Sequence, residues 1–193
     1  MMYSNRVKRI IDLLVSFFLI LIAAPVIIIG VVAVRLSSHG PIFFLQKRVG
    51  RDEKRFTIYK IRSMHVDPAR EPGQTRKNDR GVFLAGRLLR RFKIDEIPQL
   101  FNVLIGDMSL IGPRPCLEDT INKMPGWARV RFSVRPGLSG LAQVSGNIEL
   151  SWEERWRYDI QYVSSCSFIL DAAIVLKTVL VVLFGENQFV RKT

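Results

Sequence analysis

The sequence predicts an α+β fold, mostly helical with a short β-hairpin, carried on an N-terminal apolar helix broken by proline. Three observations predict it. Ile10 to Val34 is nearly continuous hydrocarbon, interrupted by Asp12 and Pro25. Two short β-branched and aromatic runs, Ile42 to Gln46 and Phe56 to Ile61, flank a polar "GRDEK" turn. The remainder alternates amphipathic helical segments with Gly- and Pro-rich loops.

The apolar segment is too long for a cleaved signal peptide and holds a proline at its centre. It would reach about 38 Å as one helix, enough to cross a hydrocarbon core of about 30 Å. Pro25 lacks an amide proton and crowds the preceding turn, so a break is expected there. The two halves would then reach about 22 and 14 Å, and neither spans alone. Arg6, Lys8 and Arg9 precede the run and Arg35 follows it, so charge sets no crossing direction. A kinked span and a hairpin that leaves on the side it entered are both open on these grounds. Asp12 is expected in a shallow first turn near the lipid headgroups, where a carboxylate costs less than at mid-membrane.

Beyond the hairpin, His65 to Gly81 is polar, with two prolines and two glycines, and is expected to be a mobile loop and functional lid. "VFLAGRLLRRFK" predicts an amphipathic helix, apolar at Phe83, Leu84, Leu88 and Leu89, with Arg87, Arg90 and Arg91 opposite. "PQLFNVLIGDMSLIG" predicts a helix through about Ile105 that ends at Gly106. "VRPGLSGLAQVSGNIELSW" is expected to be a loop. Ser151 and Glu154 match a capping box ahead of "WEERWRYDIQYVSS". Phe168 to Phe184 predicts an apolar helix whose Asp171 and Lys177 favour packing or the interface over a crossing.

The 193 residues carry 29 Lys and Arg against 17 Asp and Glu, a net charge of +12. Lys47 to Lys93 holds 15 of those cations and only 5 of the acids, and so most of the excess. Such a balance suits an anionic partner: nucleic acid, a lipid surface or a phosphate-bearing substrate. No nucleic-acid-binding signature accompanies it. Cys116 and Cys166 have neither metal-ligand nor disulfide spacing, and His39 and His65 stand apart from any acidic cluster. The ribbon from Lys47 to Arg62 is expected to face solvent or headgroups. The tryptophans Trp127, Trp152 and Trp156 are expected in the core or at the membrane interface.

Within the basic region stands "KIDEIPQLFNVLIGDMSLIGPRP", Lys93 to Pro115, with the adjacent carboxylates Asp95 and Glu96 ahead of Pro98. One explanation is capping: acids suit the positive end of a helix dipole, and proline suits its first turn. The other is chemical. Arginines arriving at a helix start make a site for a multiply charged anion. Carboxylates belong there if a divalent cation bridges them to phosphates, or if one attacks. On that second reading, the cations depress the proton affinity of the attacking group, which stays ionised.

That motif, together with "VRPGLSGLAQVSG" and "SWEERWRYD", resembles the bacterial sugar transferase family. The likeness is to its small monotopic phosphoglycosyl transferases of the bacillosamine type, and it runs over nearly the whole chain. It implies a membrane segment at 1–36, a re-entrant helix broken at Ala24-Pro25, and a cytoplasmic, membrane-associated catalytic domain at 37–193 with interfacial amphipathic helices. It implies Asp95 as a nucleophile that takes a phosphosugar from a UDP-sugar and releases UMP. Undecaprenyl phosphate then accepts the phosphosugar in a ping-pong cycle. Glu96 becomes the dyad partner, Arg90 and Arg114 phosphate-binding cations, and Pro113 and Pro115 the stiffeners of the loop that carries Arg114. Mg²⁺ is implied at Asp95. The implied location is the cytoplasmic face of the inner membrane, with membrane lipid as a partner and no nucleic acid; a homo-oligomer is left open. Two positions depart from the family pattern: Ala24 stands where a serine is usual, and Asn147 where the bacillosamine-type enzyme has an arginine. The competing expectations are a non-enzymatic basic protein of the membrane surface and a polytopic transferase acting by direct attack.

Overall fold

The computed structural model describes residues 5–66, 79 and 81–185. Most of the expected lid, 67–78 and 80, lies outside them. The chain is α+β, with one long apolar helix, a short antiparallel hairpin and six shorter helices among the described residues.

Helix α1 is Asn5–Ser37 and continues through Pro25 rather than ending there. One missing amide is a small fraction of the hydrogen bonds of a 33-residue helix. The helix is long and apolar enough to cross a membrane. Phe17, Phe18, Leu21, Ile22, Ile28 and Ile29 are all exposed. Particular side chains near each end are covered by the rest of the fold. Before Pro25, Lys8 pairs with Asp171 at 2.5 Å, and Arg9 donates to the carbonyls of Val103 and Leu104 at 2.6 and 3.0 Å. Asp12 is buried and accepts from the Leu110 amide at 3.1 Å. A backbone amide of the domain thus satisfies the Asp12 carboxylate within the apolar run. After Pro25, Ile27, Gly30 and Val34 pack on Ile61, Leu89 and Ile94.

Strands β1, Phe43–Val49, and β2, Arg55–Ile61, form the hairpin. Their register pairs Phe44 with Lys60, Gln46 with Ile58 and Arg48 with Phe56. Opposed residues share a face, so Gln46, Arg48, Ile58 and Lys60 all lie on one side. β1 runs three residues past the apolar stretch because pairing with β2 supplies the backbone bonds that side chains do not dictate. Helix α2, Leu84–Arg91, turns Leu89 inward while Leu84 and Leu88 are exposed, so its apolar residues form two stripes instead of the single face expected. Gly86 is required at its contact with Ser63: a Cβ would stand 2.0 Å from the Ser63 carbonyl oxygen.

Lys93 takes a left-handed φ of 57° and opens a 3₁₀ turn, Ile94–Glu96. Pro98 caps helix α3, Gln99–Ile105, and Gly106 closes it in the left-handed region at φ 102°. The fully buried Asn102 ties α3 to β2, accepting from the Tyr59 amide at 3.1 Å and donating to the Thr57 carbonyl at 2.7 Å.

A feature absent from the sequence expectations follows. Strand β3, Ser109–Ile111, pairs in parallel with β4, Gly137–Ser139. Between them lie the short helix α4, Glu118–Asn122, and a 3₁₀ stretch, Gly126–Ser133. The segment beginning "VRPGLSG" reads in the sequence as loop, because three-residue strands leave no alternation to detect. A Cβ on Gly137 would fall 2.1 Å from the Gly112 nitrogen. That close approach lets the Gly137 amide bond the Pro113 carbonyl at 2.9 Å.

Helix α5, Leu141–Val144, leads to α6, Trp152–Ser165, where the capping box forms as expected. Ser151 Oγ accepts from the Glu154 amide at 3.3 Å, and Glu154 Oε2 accepts from the Ser151 amide at 2.7 Å. Helix α7, Phe168–Phe184, packs on β3 and α6 through Ile111, Tyr162 and Ile174, and the Tyr162 hydroxyl donates to Asp171 at 2.8 Å. Trp156 is core, whereas Trp127 and Trp152 are half-exposed beside it.

Candidate active site

The 3₁₀ turn after α2 brings Asp95 and Glu96 against the hairpin and the Pro113–Pro115 loop. The two carboxylates are not equivalent. Glu96 Oε1 accepts from Lys60 Nζ at 2.7 Å and from Arg114 Nη2 at 2.8 Å. Asp95 is buried at 8% exposure, and its Oδ1 has no hydrogen-bond partner. A buried carboxylate oxygen without a donor is costly and so marks a position built for something else.

Proton affinities follow from these surroundings. Burial and then the neighbouring charge of Glu96 push the Asp95 carboxyl up, and Lys60, Arg90 and Lys93 pull it back only in part. Burial also opposes ionisation of Glu96, but Arg114, Lys60 and Lys93 together outweigh it and hold its carboxyl well below the usual range. The expectation of a depressed Asp95 is therefore corrected: the cations contact Glu96 directly, and Asp95 faces both burial and a like charge. Lys60 is pulled down by its own burial, against which Glu96 acts.

Of the residues singled out in the sequence, Asp95, Glu96 and Arg114 meet, with Arg90 within electrostatic reach of Asp95. Pro113 and Pro115 are buried on either side of the half-exposed Arg114. Ala24 and Pro25 belong to the apolar stretch of α1, with Pro25 exposed. Asn147 adopts φ 47° in a 3₁₀ turn, Asn147–Glu149. The carbonyls of Ile148 and Leu150 beside it bind Arg155, which acts on Arg114 by charge.

The ribbon expectation for Lys47 to Arg62 is corrected at three positions: Arg62 is buried and donates to the carbonyls of Pro41 and Ser38 at 2.5 and 2.8 Å, and two others turn to the site. Lys60 reaches Glu96, and Arg48 donates to the Pro115 carbonyl at 3.4 Å and feels Arg114. Their signal is a cation on the same alternate positions as Phe56 and Ile58, the inward face of a strand. Arg131 was also missed. It is buried in an ion pair with Asp159 at 3.0 Å and donates to the Arg114 carbonyl at 2.5 Å. Burial pushes Asp159 up to about 6 despite Arg131.

A Mg²⁺ ion suits such a site when one or two carboxylates and substrate phosphates share its shell with water. The vacant-bonded Oδ1 of Asp95 supplies one hard oxygen, and both Glu96 contacts are to cations. Among the described residues no cluster of three or more potential metal ligands occurs. The residues therefore fit an ion shared with substrate through Asp95, not an all-protein cage.

The carboxylate pair, held among cations, is thus joined to a helix long and apolar enough to cross a membrane. The chain belongs to the bacterial sugar transferase family, whose profile matches residues 3–185, and it is a phosphoglycosyl transferase. It is 40% identical to the uncharacterized sugar transferase EpsL of Bacillus subtilis, over 93% of this chain and 89% of that one. It is also 40% identical to the UDP-glucose:undecaprenyl-phosphate glucose-1-phosphate transferase of Caulobacter vibrioides, over 94% of this chain and 72% of that one. Identity is 38% to the UDP-N-acetylgalactosamine-undecaprenyl-phosphate N-acetylgalactosaminephosphotransferase of Aeromonas hydrophila, of which the match covers 44% and here 93%.

Proposed function

We propose that this protein moves a sugar phosphate from a UDP-sugar to undecaprenyl phosphate, releasing UMP, as a membrane step of polysaccharide assembly. The names of its relatives in Caulobacter and Aeromonas support the substrate classes. They differ in the sugar, so the donor is set by experiment. The observation that carries the mechanism is the asymmetry of the dyad: Glu96 is held by two cations while Asp95 Oδ1 is unbonded.

Asp95 is the nucleophile. Its oxygen attacks the sugar-bearing phosphorus, the bond from that phosphorus to the bridging oxygen breaks, and UMP leaves with the electron pair. The phosphosugar then rests on the Asp95 carboxylate as an acyl phosphate. An oxygen of undecaprenyl phosphate attacks the same phosphorus, restoring the carboxylate and giving the polyprenyl diphosphate sugar. Glu96, fixed and ionised, orders Lys60 and Arg114 around the phosphates, and with Arg90 these cations offset the charge that builds in transfer. Mg²⁺ bound at Asp95 would add neutralisation of the diphosphate. Burial of Asp95 excludes competing water from the adduct.

The membrane segment is proposed to be re-entrant, with both ends at the cytoplasmic face of the inner membrane. Its support is that Arg9 and Asp12, before Pro25, and Gly30 and Val34, after it, all pack on the one domain. Re-entry also requires α1 to bend within the membrane, and Pro25, which lacks an amide and crowds the preceding turn, is where the bend is proposed.

The test is incubation of wild type and Asp95→Asn, both membrane-extracted, with Mg²⁺ and a panel of UDP-sugars. Intact mass should show one added phosphosugar on wild type, with UMP released. The variant should show neither and still bind membranes. Full turnover by the variant would overturn the mechanism. Absence of any UMP release by wild type across the panel would favour the basic surface-binding alternative.

A further inference from the structure

We infer that Arg48, on the inward face of β1, is a second guanidinium of the subsite for the departing nucleotide's phosphate, beside Arg114. This rests on the proposed transfer reaction. Arg48 is half-buried, and its hydrogen bonds go to neutral groups: Nε and Nη2 to Gln46 Oε1 at 3.1 and 2.6 Å, and Nη1 to the Pro115 carbonyl at 3.4 Å. Among the described residues no carboxylate forms an ion pair with it. Withdrawing a guanidinium from water without an anion is expensive, and here a like charge adds to the cost. Burial and then Arg114 pull Arg48 down to about 10. The Gln46 fork holds the group in place but does not neutralise it. An arriving anion would.

The placement of Arg48 suggests which anion that is. Arg114 bonds Glu96 Oε1 at 2.8 Å, and Arg48 bonds the carbonyl of Pro115, the residue after Arg114, so the two guanidiniums stand at one corner of the dyad. The phosphorus under attack must lie against the unbonded Oδ1 of Asp95. In an in-line displacement the leaving oxygen lies on the far side of that phosphorus from the nucleophile. Arg114 and Arg48 bond Glu96 and its neighbouring loop, and neither hydrogen-bonds to Asp95, so the inference gives them the leaving side. There the developing negative charge on UMP meets two guanidiniums whose fork geometry suits a phosphate. Arg48 reaches this place because the hairpin register puts it two residues from Gln46 on the same face and bonded to the arginine loop.

The experiment compares wild type, Arg48→Gln and Arg48→Lys in Mg²⁺-containing detergent with a UDP-sugar that wild type turns over. The readouts are KM for donor, UMP product inhibition and KM for undecaprenyl phosphate. Losing a charge-assisted phosphate contact should raise both the donor KM and the UMP inhibition constant about ten- to a hundredfold in Arg48→Gln. Arg48→Lys, which keeps charge but not the fork, should fall between the two. The acceptor phosphate must attack from the side that UMP has left, so its KM should rise as well, while UMP inhibition reports the nucleotide contact alone. Should Arg48→Gln not fold, calorimetric titration of UMP into Arg48→Lys decides, with weaker binding expected. Donor KM and UMP affinity unchanged from an active wild type, or an effect confined to the acceptor, would overturn the inference. Inactivity of wild type itself would overturn the proposed reaction instead.

Discussion

Replacing Asp159 by leucine should strand a guanidinium in the interior. Arg131 and Asp159 each have side chains only 5% exposed and meet at 3.0 Å. Removing one partner of a buried pair costs about 3–5 kcal/mol, because the other charge stays desolvated. For a chain of this size each kcal/mol shifts the melting temperature by about 2–4 °C, so Asp159→Leu should melt about 6–20 °C lower. Removing both charges should behave differently. Burial lifts Asp159 to about 6, above its ordinary 3.8. A carboxyl whose folded value lies above its unfolded one adds stability at low pH and loses it as pH rises through the folded value. The loss here is about 3 kcal/mol by neutral pH. The double variant Arg131→Met, Asp159→Leu lacks this loss. It should recover most of the single variant's deficit at pH 7.5 and gain on wild type between pH 4.5 and 7.5. Thermal unfolding of the three proteins in one detergent, at several pH values, measures this. A single variant that melts within 2 °C of wild type at pH 7.5, or a double variant no better than the single, would refute the reasoning. Because Arg131 also holds the Arg114 carbonyl, Asp159→Leu should lower kcat/KM at temperatures where it remains folded.

The dyad makes opposed pH predictions. Asp95 attacks only when ionised, so activity falls as pH drops through its folded value, which burial and Glu96 raise. Glu96→Gln removes the like charge and should move the acid limb of kcat/KM to lower pH, even as kcat falls. Lys60→Met removes a cation that favours ionised Asp95 and should move the same limb to higher pH; a limb unmoved in both variants would count against Asp95 as the titrating group. Gly137→Ala should melt far below wild type, since its Cβ would meet the Gly112 nitrogen at 2.1 Å, whereas Gly126→Ala, with nothing within 4 Å, should melt as wild type does.

Much of this architecture is local and therefore legible in the chain. Gly106 ends α3 because it can take a left-handed φ, and Pro98 begins it because it needs no amide bond. Ser151 and Glu154 cap α6 through contacts three residues apart. Each of these signals is complete within one turn of helix. β3 and β4 were not legible, since three residues carry no period and their partner is 28 positions away in the register. Lys60 and Arg48 were hidden in a ribbon whose charge, counted as a whole, resembles a solvated surface.

By itself the sequence determined helices α2, α3, α6 and α7, the ends of α3 and the cap of α6, the apolar run, the hairpin, the basic excess and the adjacency of Asp95 and Glu96. These depend on backbone preference and on neighbours a few residues off. Only the tertiary structure decided which carboxylate is bound and which is left open. That choice belongs to Lys60 and Arg114, 36 and 18 residues from Glu96 in the chain. Charge acts through space and burial is made by the whole fold, so proton affinity is written in no single segment.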